Sequence, residues 1–229
     1  MLDRLRACDP TLPLTSILFY RAFYWLLMGA CTVAYRLRML HTDRLPRSGG
    51  VLVVANHQSL LDPPMIGLGF RHRNMAAMAR SGLFKIPVLG WWLRAVGCIC
   101  LKENESDTAA MRRAISELKK GRLVLIFPEG ARTLDGQIHE FKRGAWLLMS
   151  RAGCDVVPAA IEGAFDAWPR TKPLPRIIGK RCAVAFGKPI SHEELRAMKP
   201  DEGLARLRNE VIALREELQR SVFRGQNQN

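Results

Sequence analysis

The chain has 229 residues, enough for one sizeable core, and 48% hydrophobic with 24% charged residues excludes both intrinsic disorder and a polytopic membrane protein. Thirty-five Lys and Arg against twenty-one Asp and Glu leave a formal charge of +14, which implies attraction to polyanions: nucleic acid, an anionic lipid surface or phosphorylated substrates. The six cysteines (Cys8, Cys31, Cys98, Cys100, Cys154, Cys182) form no C-x-x-C pair and have no His at metal-ligand spacing, so they read as reduced thiols in a cytosol-facing protein.

The first element is apolar. From Ile17 to Tyr35 the only charge is Arg21, and the uncharged run Ala22 to Tyr35 is fourteen residues. A transmembrane helix needs about 20 apolar residues, so the run reads as a helix embedded in one leaflet, a single tilted span over Ile17 to Tyr35 being the longer alternative. Tyr20, Tyr24, Trp25 and Tyr35 are expected at headgroup depth, and Arg4, Arg6, Arg21, Arg36 and Arg38 supply cations on both sides. A buried core helix and a secretory signal are the competing readings. Asp3 and Asp9 in an overlong leader argue against the signal.

After a Pro46-Arg47-Ser48-Gly49-Gly50 turn, short apolar runs alternate with helical patterns, which predicts an α/β domain. The expected strands are Val51 to Ala55, Met75 to Ala79, Ala95 to Leu101, Leu123 to Phe127, Val156 to Ile161 and Cys182 to Phe186. Helices are expected over Asp107 to Lys120, Gly144 to Ala152 and Asp201 to Phe223, the last with an apolar stripe from Leu204 to Val222.

Asn56-His57-Gln58-Ser59-Leu60-Leu61-Asp62-Pro63 follows the first strand, where ligands gather in α/β sheets. A neutral His is a suitable base near physiological pH, provided a carboxylate fixes its tautomer. On an ideal helix five residues turn through about 500°, which would part His57 from Asp62. Asp62-Pro63, however, reads as an N-cap with proline at the first helical position, leaving His57 in a loop where the two can meet. Asp62 as a mere cap is the alternative.

A second polar loop, Phe127-Pro128-Glu129-Gly130-Ala131-Arg132-Thr133, leaves the strand LVLIF. Pro128 and Gly130 allow a tight turn, and Arg132 offers a guanidinium for bidentate phosphate binding. Glu129 suits a substrate hydroxyl or the orientation of Arg132. Lys142 and Arg143 open the next helix and add positive field, unless they form only a solvated basic face.

These blocks resemble the 1-acylglycerol-3-phosphate O-acyltransferase family within the glycerolipid acyltransferases. Asn56-His57-x-Ser59-x-x-Asp62 resembles the His-x4-Asp motif, Phe127-Pro128-Glu129-Gly130-x-Arg132 the glycerophosphate motif, and Val157-Pro158-Ala159-Ala160 the later proline motif. Lys85-Ile86-Pro87-x-x-Gly90-Trp91 leads into the remaining block near Gly97. That block usually ends in a phosphate-binding Arg; here Glu103 stands in its place, so either Lys102 substitutes or the contact is missing. The usual Thr before Arg132 is Ala131. Both departures touch acceptor recognition.

The resemblance implies a single α/β domain like glycerol-3-phosphate acyltransferase, with a mixed, mostly parallel sheet flanked by helices. It implies catalysis by His57 and Asp62 without metal or cofactor. Phe127, Pro128, Glu129, Gly130, Arg132, Lys102, Lys142 and Arg143 are then the expected acceptor-binding residues. The expected donor is acyl-CoA or acyl-carrier protein, the acceptor a lysophospholipid, and the setting a membrane surface with the catalytic domain facing the cytoplasm. Residues 1–44 are expected as a membrane-associating helical segment, 45–225 as the catalytic domain and 226–229 as a polar tail. Two rivals remain at the level of sequence: a hydrolase with Ser59 as nucleophile, although no G-x-S-x-G elbow is present, and a non-catalytic basic protein. The non-catalytic protein would bind a membrane or nucleic acid through its charge, but no nucleotide-binding fingerprint is present and the favoured reading expects no nucleic-acid partner.

Overall fold

The computed structural model describes residues 14–71, 73, 75–95, 98–101, 107–177 and 179–223. In chain order the elements are α1 (Leu14–Tyr35), β1 (Arg38–Leu40), a 3-10 turn (Thr42–Arg44), β2 (Val51–Ala55), α2 (Asp62–Gly67) and β3 (Met75–Arg80). There follow α3 (Ser81–Phe84), α4 (Pro87–Ala95), β4 (Ile99–Leu101), α5 (Asp107–Lys119), β5 (Leu123–Ile126), α6 (Arg143–Arg151) and β6 (Asp155–Glu162). The chain closes with α7 (Ala164–Ala167), β7 (Ala183–Phe186), α8 (His192–Arg196) and α9 (Pro200–Val222).

The strands form one seven-stranded sheet in the order β1-β7-β6-β2-β5-β3-β4. Every named pairing is parallel except β6 with β7. The sequence explains the centre. VLVVA in β2 and LVLI in β5 are apolar on both faces, and every residue of each is buried, as parallel strands covered by helices on both sides require. One face of the sheet packs on α5, α6 and α9, through Met111, Trp146, Leu207 and Val211. The other packs on α1, α2 and α7, through Tyr24, Met65 and Ala164. Each fully buried aliphatic side chain contributes about 2 kcal/mol, so α9, with Leu204, Leu207, Val211, Leu214 and Leu218 buried, is anchored by its stripe.

Strand direction fixes where chemistry can occur. The carboxyl ends of β2, β5 and β6 share one edge, and because Glu162 pairs with Ala183, antiparallel β7 begins at that edge as well. The opposite edge is closed by Arg73, whose buried guanidinium donates to the carbonyls of Pro46, Gly49 and Gly121 and so ties the turns that enter β2 and β5.

Four expectations change. The strand expected over Ala95 to Leu101 is only Ile99–Leu101, because Ala95 closes α4, a helix started by Pro87. The sheet already contains Arg38–Leu40, paired with β7, so the α/β fold begins ahead of residue 45. Tyr24 and Tyr35, expected to face headgroups, face protein instead: they are buried, and Tyr24 Oη donates to the Leu68 carbonyl at the end of α2. Asp62 is the first residue of α2 rather than its cap, which is Leu61.

Helix α1 has one side in the core and one side exposed. Tyr24, Cys31 and Tyr35 face the core with Leu27 and Met28 beside them, while Leu18, Trp25, Leu26 and Val33 are exposed, Val33 by 85%. Among the described residues no helix is long and apolar enough to cross a membrane. The described cysteines, Cys31, Cys98, Cys100, Cys154 and Cys182, are all free, and burial pushes the Cys182 thiol up to about 12. Positions 1–13 and 224–229 lie outside the described residues, and with them Arg4, Arg6 and the polar tail.

Candidate active site

The loop leaving β2 and the loop leaving β5 close on each other at the carboxyl edge. Asn56, the first residue past β2, continues the ladder with its side chain. Its Nδ2 donates to the Ile161 carbonyl (3.0 Å) and its Oδ1 accepts from the Ile161 amide (2.9 Å), pinning the loop to the end of β6. The next residue, His57, is thereby held at the sheet edge with its side chain 16% exposed.

His57 Nδ1 lies 2.8 Å from Asp62 Oδ2. The carboxylate is acceptor only, so Nδ1 carries the proton. Nε2 is then the bare nitrogen, and no described residue bonds it. Asp62 Oδ2 also accepts from the amides of Gln58 (2.6 Å) and Ser59 (2.8 Å). Those bonds turn the carboxylate back over the loop, and its other oxygen meets no amide among the described residues. The carboxylate therefore orients the imidazole and does not cap α2. Asp62 is fully buried, and its Oδ1 has no partner among the described residues. Burial pushes its carboxyl above the ordinary carboxylate range; the donors from His57, Ser59 and Gln58 pull the other way.

The second loop holds the first by its backbone. Glu129 is buried; Oε1 accepts from the His57 amide (2.8 Å) and Oε2 from the His139 amide (2.9 Å). Each oxygen thus anchors a backbone amide, one in each of two strand-end segments. Burial raises the Glu129 carboxyl as well, against the pull of those two amides. The Thr133 amide donates to the His57 carbonyl (2.8 Å), so the main chain of His57 is gripped on both sides by one loop. The Phe127 ring stacks on the imidazole, centroids 3.8 Å apart and planes 9° apart.

Gly130 has φ +76, a left-handed conformation that favours glycine, and a Cβ built there would lie 2.8 Å from Lys142 Nζ. The Lys142 ammonium therefore lies over the Glu129-Gly130 turn, and the Lys142 amide donates to the Pro128 carbonyl (2.9 Å). Arg132 is half-buried in the same loop. Arg143 is elsewhere: it is exposed, and its Nη2 pairs with Asp201 at the start of α9 (3.3 Å). Lys102 and Glu103 lie outside the described residues.

Ser59 is not placed as a nucleophile. It is fully buried, with Oγ donating to the Trp168 carbonyl (2.9 Å) and accepting from the Leu61 amide (3.2 Å). Sequence reasoning missed a cluster beyond Arg132. Asp135 accepts from Thr133 Oγ1 (2.7 Å), the Gln137 amide (2.9 Å) and His139 Nε2 (3.0 Å), and these donors hold its carboxyl down to about 2. The Asp135-Gly136 pair was the available signal for that turn.

Comparison with known proteins gives a consistent picture. The profile of the acyltransferase family matches residues 36–162, which hold both loops. A chloroplast 1-acyl-sn-glycerol-3-phosphate acyltransferase of Arabidopsis thaliana is 34% identical over 139 residues, 59% of this chain and 38% of that protein. A 1-acyl-sn-glycerol-3-phosphate acyltransferase of Streptococcus pneumoniae is 28% identical over 174 residues, 75% of this chain and 61% of that one. The alignments with the plant and algal relatives span only 38 to 42% of those proteins. In structure, the chain is similar to the crystal structure of the 1-acyl-sn-glycerophosphate acyltransferase of Thermotoga maritima, with TM-score 0.64, 26% identity, and 85% of this chain and 89% of that one covered.

Proposed function

The chain belongs to the acyltransferase family, and from that premise we propose that it moves a fatty acyl group from a thioester to the sn-2 hydroxyl of 1-acylglycerol-3-phosphate, giving phosphatidic acid. The observation that carries the reading is the buried Asp62 carboxylate on His57 Nδ1, which leaves Nε2 bare at the sheet edge. The names of the relatives supply the acceptor.

In this reading Nε2 takes the hydroxyl proton as the oxygen attacks the thioester carbonyl, forming a C–O bond and a tetrahedral oxyanion. The imidazolium so formed is stabilised by Asp62. Collapse breaks the C–S bond, and the imidazolium returns the proton to the departing thiolate. No acyl-enzyme is formed, in keeping with the buried position of Ser59. Arg132 and Lys142 hold the acceptor phosphate, so binding energy remote from the reacting atoms orients the hydroxyl. Glu129, Phe127 and Pro128 shape the loop that carries those cations. Acyl-CoA and acyl-carrier protein both fit as donors, and no cofactor is needed.

We further infer that the exposed side of α1, with Trp25, Leu26 and Val33, rests in one leaflet of an anionic membrane and keeps the catalytic edge at the lipid surface, facing the cytoplasm. The test of the catalytic reading is direct. The protein and its His57→Ala variant are incubated with labelled acyl-CoA or acyl-carrier protein and a panel of lysophospholipids, and free fatty acid is measured against transferred product. Transfer to 1-acylglycerol-3-phosphate that disappears in the variant is expected. Near-normal transfer by His57→Ala, or release of free fatty acid alone, overturns the assignment.

A further inference from the structure

The connection between β6 and β7 carries a second feature at the catalytic edge. From Trp168 to Arg181 the chain holds five cations, Arg170, Lys172, Arg176, Lys180 and Arg181, and no acid. Among them stand Leu174, 74% exposed, and Ile177, 53% exposed. Exposed aliphatic side chains amid like charges are of no use to a core, and like charges this close in sequence repel in water.

The segment is built rather than loose. Trp168 Nε1 donates to the Lys172 carbonyl (3.0 Å), the Lys172 amide to the Pro169 carbonyl (3.1 Å) and the Arg176 amide to the Ala167 carbonyl (2.7 Å). Pro169, Pro173 and Pro175 fix φ around Leu174 and reduce the entropy lost when the loop meets a partner. Its two ends are tied to functional neighbours. At one end the Trp168 carbonyl accepts Ser59 Oγ, between His57 and Asp62. At the other the Cys182 amide donates to the Tyr35 carbonyl at the end of α1 (2.9 Å).

We propose that residues 168–177 and 179–181 are an anionic-lipid contact element, separate from α1, in which the cations pair with lipid phosphates while Leu174 and Ile177 enter the headgroup boundary. An acidic protein surface would also satisfy the cations. The bilayer is favoured because the loop ends against the end of α1, whose exposed Trp25, Leu26 and Val33 ask for hydrocarbon. The inference rests on the reading above that the acceptor is presented by a membrane, but binding to lipid requires no turnover.

The full chain, a charge variant (Arg170→Gln, Lys172→Gln, Arg176→Gln) and an apolar variant (Leu174→Ser, Ile177→Ser) are sedimented with phosphatidylcholine vesicles, with and without phosphatidylglycerol. Each cation near an anionic surface contributes about 1 kcal/mol, roughly fivefold in partitioning, so the charge variant is expected to lose at least about tenfold on anionic vesicles only. The apolar variant is expected to lose affinity for both vesicle types. Both should keep the wild-type melting temperature and the wild-type rate on detergent-dispersed acceptor. Unchanged vesicle affinity in both variants overturns the proposal. So does a charge variant that keeps its vesicles but loses affinity for acyl-carrier protein, which would assign the surface to the donor. If no acyl transfer is found for any chain while the vesicle losses occur, the catalytic reading falls and this one stands.

Discussion

The Phe127 ring lies flat on the His57 imidazole, 3.8 Å between centroids. One face of the base is thus covered by a residue of the opposite loop, and the ring is confined to the plane in which Nδ1 meets Asp62. Phe127→Ala removes that confinement without touching an acid or base. The expected result is a fall of about 10- to 100-fold in kcat with KM little changed, since a misplaced reacting group costs about that much. Phe127→Tyr should retain most of the rate. Steady-state kinetics on the pair separates orientation from simple unfolding.

Asp62→Asn should uncouple activity from stability. Loss of the carboxylate that fixes the tautomer and balances the imidazolium is expected to lower kcat about 10³- to 10⁴-fold. Stability should rise by on the order of 1 kcal/mol at neutral pH, because a fully buried carboxylate with one unbonded oxygen is replaced by a neutral isostere. Urea unfolding beside single-turnover kinetics checks both halves.

The same variant carries a pH signature. With a folded pKa above the unfolded one, Asp62 binds its proton more tightly in the native state, so its charge costs stability as pH rises from about 4 through the folded value. The stability advantage of Asp62→Asn over wild type should therefore be full above the folded pKa and shrink as pH falls toward about 4. An advantage that grows on acidification would contradict this sign.

Glu129→Gln tests the grip on the backbone. Glutamine offers one acceptor where Glu129 offers two, so either the His57 or the His139 amide faces an NH₂ group. A buried amide left unpaired costs about 1–3 kcal/mol, and the variant is expected to melt lower and to lose about 10- to 100-fold in kcat/KM. If instead Glu129 acts only on substrate, the melting temperature will not move.

Gly130→Ala places a Cβ at φ +76 and against Lys142 Nζ. The ammonium is the mobile end of a long side chain and can shift, so the stability cost is the backbone strain, about 1 kcal/mol. The kinetic cost should fall on KM for a phosphate-bearing acceptor, with KM for the thioester nearly unchanged.

The sequence made the polar chemistry visible because it sits where hydrophobic strands stop: VLVVA breaks into Asn56-His57, and LVLIF into Pro128-Glu129. What it concealed is what main-chain atoms do. Glu129 offers a carboxylate to any donor in the sequence, and only the structure shows the amides of His57 and His139 on its two oxygens. Tyr24 lies in an apolar aromatic run, and composition cannot say which side of a helix meets protein; only the bond to the Leu68 carbonyl does. Arg38–Leu40 is too short to show any period, and it becomes a strand because β7 offers a free edge. Arg143 was grouped with Lys142 by adjacency, yet neighbouring residues at a helix start point about 100° apart, and Arg143 turns to Asp201.

The Arg73 clamp has a practical meaning. It secures the entrances of β2 and β5, about 16 Å from the reacting loops by the length of a five-residue strand. That end of the molecule is tied together by the Arg73 bonds and lies opposite His57, and Ser48 on its outer turn is exposed. A fluorophore or a surface tether attached through Ser48→Cys would leave the edge that carries His57 unobstructed, so the protein can be watched, or fixed in place, while it works.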